Sequence, residues 1–229
     1  MKVSAFVIFY AIVLSIYGLV NFYIYSRGIN SLPPDSKVRP WFIGVFLFLS
    51  LSFVAGRILE RYNQSLITDV FVWAGSFWLA IMFYILLVIL AIDLVRLANW
   101  AFPFFPETWN AQPGGFRQKL MFFVGGSVIL LVLAGHINTL FPRTRNIDLE
   151  IPTANAKEGV VRMAMVSDIH LGTIIGPRRL TKLVETLNHI APDIIVMAGD
   201  VVDEDLKPVI RNNAGAYLKR LNAPYGVYG

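Results

Sequence analysis

The 229-residue chain contains no cysteine. Disulfide staples, zinc–thiolate sites and thiol catalysis are thereby excluded, while either side of a membrane remains open to it. Charge is scarce too: 15% of the residues are charged, against about 25% in an ordinary soluble domain. The net charge of +5 is spread out and forms no block or stripe of Lys and Arg. A nucleic-acid footprint needs such clustering on one face, so no nucleic-acid partner is expected. Histidine is rarer still, with three residues, His136, His170 and His189.

Apolar residues fill the space. They make up 56% of the chain, and mean hydropathy is +0.60. A membrane span needs about 20 apolar residues. Val3 to Ser26 runs 24 positions without a charge, Val70 to Ile92 runs 23, and Leu120 to Leu140 runs 21 with only His136 and Asn138 near its end. Trp41 to Gly56 has 16, and Arg57 can snorkel so that Ile58 and Leu59 extend it. Four transmembrane helices are predicted, at about 3–26, 41–59, 70–92 and 120–140, forming an anchor over residues 1–142. The first is too long for the core of a signal peptide and has no A-x-A site after it, so it reads as a retained anchor.

The connectors agree. "SRGINSLPPDSKVRP" and "RILERYNQSLITD" are polar, and the first carries proline stops. The third, "NWAFPFFPETWNAQPGGFRQK", is rich in Trp and Phe, which belong at headgroup level. Four spans put both chain ends on one side, with Lys2, Arg57, Arg61, Arg143 and Arg145 there. Arg27, Lys37, Arg39, Arg96, Arg117 and Lys119 fall on the other. Five basic residues against six leave the orientation undecided. Asp93 and Arg96, three apart at the end of the third span, read as an interfacial pair, and His136 as an interfacial residue without a task.

Beyond residue 142 charges become frequent and the pattern changes. "IDLEI", Ile147 to Ile151, alternates like a half-exposed strand, and "VVRMAMVSD" reads as a buried strand with a polar exit. Pro177 opens an amphipathic helix with Leu180, Leu183, Val184, Leu187 and Ile190 on one face. His189 falls near its end and reads as a cap. "DIIVMAGD" is a short apolar strand. Pro208 opens a second helix using Ile210, Ala214, Tyr217, Leu218 and Leu221, and "YGVYG" begins another strand. The order β-β-α-β-α-β predicts a largely parallel sheet with helices on its faces.

Ligands of such sheets sit at the carboxyl ends of the strands. Asp168 and His170 leave one strand; Gly199 and Asp200 leave the next, with Asp203 three residues on. One crossover helix separates the two, so the acidic loops should converge. Each motif alone is weak, since Asp-x-His arises by chance and Gly-Asp is a common turn. Together they point to a divalent ion of the Mn, Fe or Zn class, which suits oxygen and nitrogen donors. Glycine before Asp200 lets backbone approach such a site closely.

"VSDIHLG" followed by "MAGDVVDEDL" resembles the first two signatures, D-x-H and G-D-x-x-D, of the calcineurin-like metallophosphoesterases. The membrane-anchored bacterial branch of that family is similar over the soluble segment, including "PDIIVMAGDVVDEDL" and "APYGVYG". The resemblance implies a four-helix membrane anchor followed by a truncated α/β metallophosphoesterase domain over residues 143–229. It implies two divalent metal ions, with Asp168 and His170 as ligands of the first and Asp200 bridging both. Asp203 would orient the histidine of the third motif, G-N-H-E or G-N-H-D. That motif and the later G-H-x-H are not among the 229 residues, so the chain is expected to be an N-terminal fragment, inactive by itself. The implied activity of the whole protein is hydrolysis of a phosphomonoester or phosphodiester by a two-metal-activated water. The substrate would be a lipid-linked or cell-envelope phosphoester, and the setting a multi-pass protein of the cell membrane in contact with its lipids. The rival expectation is a non-catalytic membrane scaffold or sensor with a degenerate module. A small transporter is less favoured, because the spans show no internal repeat.

Overall fold

A computed structural model describes residues 3–104, 115–151, 159–203 and 205–229. Phe105 and Trp109 of the aromatic connector lie outside the described residues. The chain divides into two compact units. One comprises residues 1–57 and 73–139, the other residues 58–72 and 140–229.

The anchor is built on four long helices: α1 (Val3–Ile29), α2 (Val38–Tyr62), α3 (Leu66–Ala101) and α4 (Gly115–Thr139). Each is long and apolar enough to cross a membrane, and the chain is a membrane protein. The helices outrun the predicted spans. α3 has 36 residues, roughly 54 Å at about 1.5 Å per residue, because Asp69 and Asn99 at its ends are tolerated in helical backbone once outside hydrocarbon. Large apolar side chains stand exposed on α1 to α4, among them Leu19, Phe22, Leu51 and Leu94; helices apolar all round are those that face lipid.

Within the first unit the polar groups are paired. Trp78 Nε1 donates to Asn21 Oδ1 at 3.0 Å, and Asn21 Nδ2 donates to the Tyr17 carbonyl at 2.8 Å. Asp93 accepts from Arg27 and from the Tyr23 hydroxyl of α1. Arg96, the expected partner, stands 3.6 Å from its other oxygen. Sequence spacing found the local partner and missed the tertiary ones. His136 lies against the rings of Trp73 and Phe77, with centroids 5.6 and 5.1 Å away.

In the second unit a three-stranded parallel sheet of order β1-β2-β3 is formed by β1 (Met163–Val166), β2 (Ile194–Met197) and β3 (Val227–Tyr228). The crossover helix α5 (Pro177–Ile190) joins β1 to β2. It starts with proline in its first turn and ends on Ala191 in the left-handed conformation. Its apolar stripe, Leu180, Val184 and Leu187, is buried, worth about 1.5–3 kcal/mol per side chain by area. Leu187 packs with Ala164 and Ile195 of the sheet. Asp193 ties the strand starts together: Oδ2 accepts from the Arg162 N–H at 2.7 Å, and its carbonyl accepts from the Tyr225 N–H at 2.8 Å.

Three local expectations change. Ile147–Ile151 forms no strand, and Ile147, Leu149 and Ile151 are exposed. Alternation needs a neighbouring strand to pair with, and an isolated strand has no stability in water. The helix expected from Pro208 is two short ones, α6 (Lys207–Arg211) and α7 (Ala214–Leu218). Asn213 between them is left-handed, with φ of 48°; Asn tolerates that conformation and competes with helical hydrogen bonding. Helices cover one face of the sheet, whereas Met163 and Met165 on the other face of β1 are exposed among the described residues.

The turn between α2 and α3 belongs to this second unit. Ser65 Oγ accepts from the Thr68 N–H at 3.3 Å, an N-terminal cap for α3, and Thr68 Oγ1 donates to the Asn63 carbonyl at 2.7 Å.

Candidate metal centre

Past the ends of β1 and β2 the two segments stay zipped. The Ala198 N–H donates to the Val166 carbonyl at 2.8 Å. The His170 and Leu171 N–H groups donate to the Asp200 and Val201 carbonyls at 2.9 Å each, and the Asp203 N–H donates to the Leu171 carbonyl at 3.0 Å. Leu171 and Val202 form a parallel bridge. The loops carrying the two acidic motifs are therefore held as an extension of the sheet.

Burial alternates along this extension. Ile169 and Leu171 are buried, 7% and 2% exposed, and pack with Leu180 and Val184 of α5. Asp168 and His170, at the positions between, are exposed.

Asp168, His170 and Asp200 converge. Each offers one ligand atom, and these atoms all lie within 4.8 Å of one another. His170 Nε2 is 4.0 Å from Asp200 Oδ2, beyond hydrogen-bond reach. On its other side Nδ1 is 4.0 Å from Asp203 Oδ1. Asp203, expected to orient the histidine of the third motif, stands beside His170. Gly172 permits this closeness, since a Cβ there would lie 3.3 Å from the Cβ of Asp203.

The backbone under the cluster is unusual. Asp168, His170 and Asp200 have φ of 54°, 49° and 47°. They are three of the five non-glycine residues with positive φ among the described residues, the others being Ala191 and Asn213. Left-handed backbone costs roughly 1–2 kcal/mol for an ordinary side chain and less for Asp or Asn. Clusters of such residues occur where the surrounding structure holds a functional site. Gly199, with φ of 78°, makes the same turn without that cost.

This donor set fits a divalent cation. Two carboxylates and an imidazole are oxygen and nitrogen donors, suited to Mn, Fe or Zn. Carboxylates this close repel, and a cation between them offsets that repulsion. The candidate site residues from the sequence are thus brought together, Asp203 included. Glu60 was missed: its Oε1 accepts from Thr173 Oγ1 at 2.6 Å, beside the first acidic loop. No spacing signal links positions 60 and 173.

No family model matches the chain. It is similar to an uncharacterised metallophosphoesterase of Campylobacter jejuni, 29% identical over 97% of this chain and 57% of that protein. It is 33% identical to a transmembrane protein with metallophosphoesterase domain of Danio rerio, over 41% of this chain and 21% of that one. With the UDP-2,3-diacylglucosamine pyrophosphatase LpxG of Chlamydia muridarum the identity is 25%, over 50% of this chain and 34% of the enzyme. The chain thus spans little more than half the length of the first relative and less of the others. No solved structure matches.

Proposed function

We propose that the chain belongs to the metallophosphoesterase family and serves as a membrane-anchored, metal-dependent hydrolase of phosphoester bonds in the cell membrane. The observation that carries this reading is the convergence of Asp168, His170 and Asp200 at the exits of two adjacent parallel strands.

In this reading Asp168 and His170 would hold a first ion, and Asp200 would be shared with a second. Two such ions supply Lewis acidity, lowering the pKa of water and neutralising phosphoryl oxygens. The remaining work falls to the chain. The zipped loops hold the donors in place before any ion arrives. Asp203 Oδ1 stands 4.0 Å from His170 Nδ1, while Nε2, the other ring nitrogen, lies 4.0 Å from Asp200. Exposure of the cluster leaves room for a substrate phosphate. The three donors would serve one ion, and a second ion needs further ligands in this proposal.

The substrate we propose is a lipid-linked or envelope phosphoester, because a membrane anchor keeps the site next to such molecules. What supports a lipid-linked phosphate compound is the likeness to LpxG, a UDP-2,3-diacylglucosamine pyrophosphatase.

The test is hydrolysis of bis(4-nitrophenyl) phosphate by membranes carrying the complete product of the gene, with Mn²⁺ supplied or chelated. Mn²⁺-dependent turnover that Asp168→Asn abolishes is expected. Turnover unaffected by chelation would overturn the reading, and no turnover with any divalent ion would favour a degenerate, non-catalytic module.

A further inference from the structure

The first unit contains a cavity of about 640 Å³, within the range of ligand sites, roughly 300–1,000 Å³. Its floor is apolar: Phe46 of α2 meets Trp78 of α3 edge to face, ring centroids 5.0 Å apart, and both are buried. Leu120, Val124 and Ile129 of α4 form another wall. α4 also touches α3 through His136 against Trp73 and Phe77. Near its N-terminal half, Gly125 and Gly126 line the cavity, and an added Cβ at either meets nothing within 4 Å. On α2 and α3 the lining runs from Val38 to Leu49 and from Trp78 to Arg96, the half of that hairpin away from its turn.

The polar lining is one-sided in charge. Arg27, Arg96 and Arg117 line the cavity with a single carboxylate, Asp93. Arg27 and Arg96 both face Asp93, so three guanidinium groups stand against one acid. The Arg27 and Arg96 side chains remain 42% and 51% exposed while doing so. Lipid tails are as apolar as such a cavity, so the apolar walls alone select nothing. Discrimination falls to the cationic rim, and guanidinium groups match phosphate oxygens geometrically.

We propose that this cavity is a binding site for one anionic phospholipid, its acyl chains along the Phe46–Trp78 floor and its phosphate at Arg27, Arg96 and Arg117. The inference is independent of the metal site. Arg117 is the residue to vary, because Arg27 and Arg96 also neutralise Asp93.

The experiment is native mass spectrometry of the whole 229-residue chain, purified in detergent with equimolar phosphatidylglycerol and phosphatidylcholine. One phosphatidylglycerol is expected to be retained in preference. Arg117→Gln should cut that preference about fivefold, the effect of one basic residue at a lipid surface. Gly125→Leu with Gly126→Leu should abolish retention by filling the groove. Gly135→Leu, on the same helix outside the cavity and with equal room for a side chain, should leave it unchanged and shows that the fold tolerates the exchange. Equal retention of both lipids by the wild type would overturn the proposal. So would undiminished phosphatidylglycerol in the Gly125/Gly126 variant, or its displacement by inorganic phosphate, which would mark a simple anion site.

Discussion

Glu60, in the last turn of α2, accepts a hydrogen bond of 2.6 Å from the hydroxyl of Thr173, one residue beyond Gly172. Glu60 is 8% exposed. Two neighbours act in the same way on the other acidic loop. Lys207 donates to the Arg61 carbonyl, and Arg211 reaches both oxygens of Asp69 at 3.0 and 3.1 Å. The turn between α2 and α3 therefore grips the chain just after each candidate ligand loop.

Glu60→Ala is expected to destabilise this unit by about 1 kcal/mol, since it removes the acceptor of the half-buried Thr173 hydroxyl. Thermal unfolding of the chain in detergent measures it. A double-mutant cycle with Thr173→Val should show coupling between the two positions. Additive effects would mean that the bond contributes nothing.

The Arg211–Asp69 pair is about one-third exposed, and for such pairs coupling is about 0.2–1 kcal/mol. The cycle Arg211→Gln with Asp69→Asn should fall in that range and shrink in high salt. A larger, salt-insensitive value would contradict the surface-pair account.

Gly199→Ala places a Cβ on backbone with φ of 78°. Nothing crowds the position, so the cost is conformational, about 1–2 kcal/mol. A shift in the unfolding midpoint reports it. An unchanged midpoint would show that the second acidic loop relaxes freely.

In the complete product of the gene, Asp200→Asn should reduce Mn²⁺-dependent hydrolysis more than Asp203→Asn. Removing a residue placed behind a ligand typically costs about 10–100-fold, whereas Asp200 is proposed to be shared by both ions. Wild-type rates for Asp200→Asn would remove it from the site. The 229 residues alone, with three converging donors, should turn over the same diester at background rate.

Much of this was legible in the sequence, and the limits have physical causes. The four apolar runs, the stripe of α5 and the two acidic motifs at strand exits are local patterns, and local patterns survive folding. The alternation of Ile147–Ile151 was equally clear and formed no strand, because pairing depends on a partner elsewhere. The break at Asn213 turned on one residue's tolerance of left-handed backbone inside a helical pattern. Contacts such as Glu60 with Thr173 and Arg27 with Asp93 join positions with no shared periodicity. The placement of Asp203 beside His170 likewise depends on the zipped loops.

The central claim, that Asp168, His170 and Asp200 hold a divalent cation, is tested most directly by electron paramagnetic resonance of Mn²⁺ titrated into the purified chain. The account predicts one bound ion in the wild type, with binding weakened at least tenfold in Asp168→Asn and in Asp200→Asn. An undisturbed free-ion spectrum in the wild type, or binding as tight in either variant as in the wild type, would contradict it.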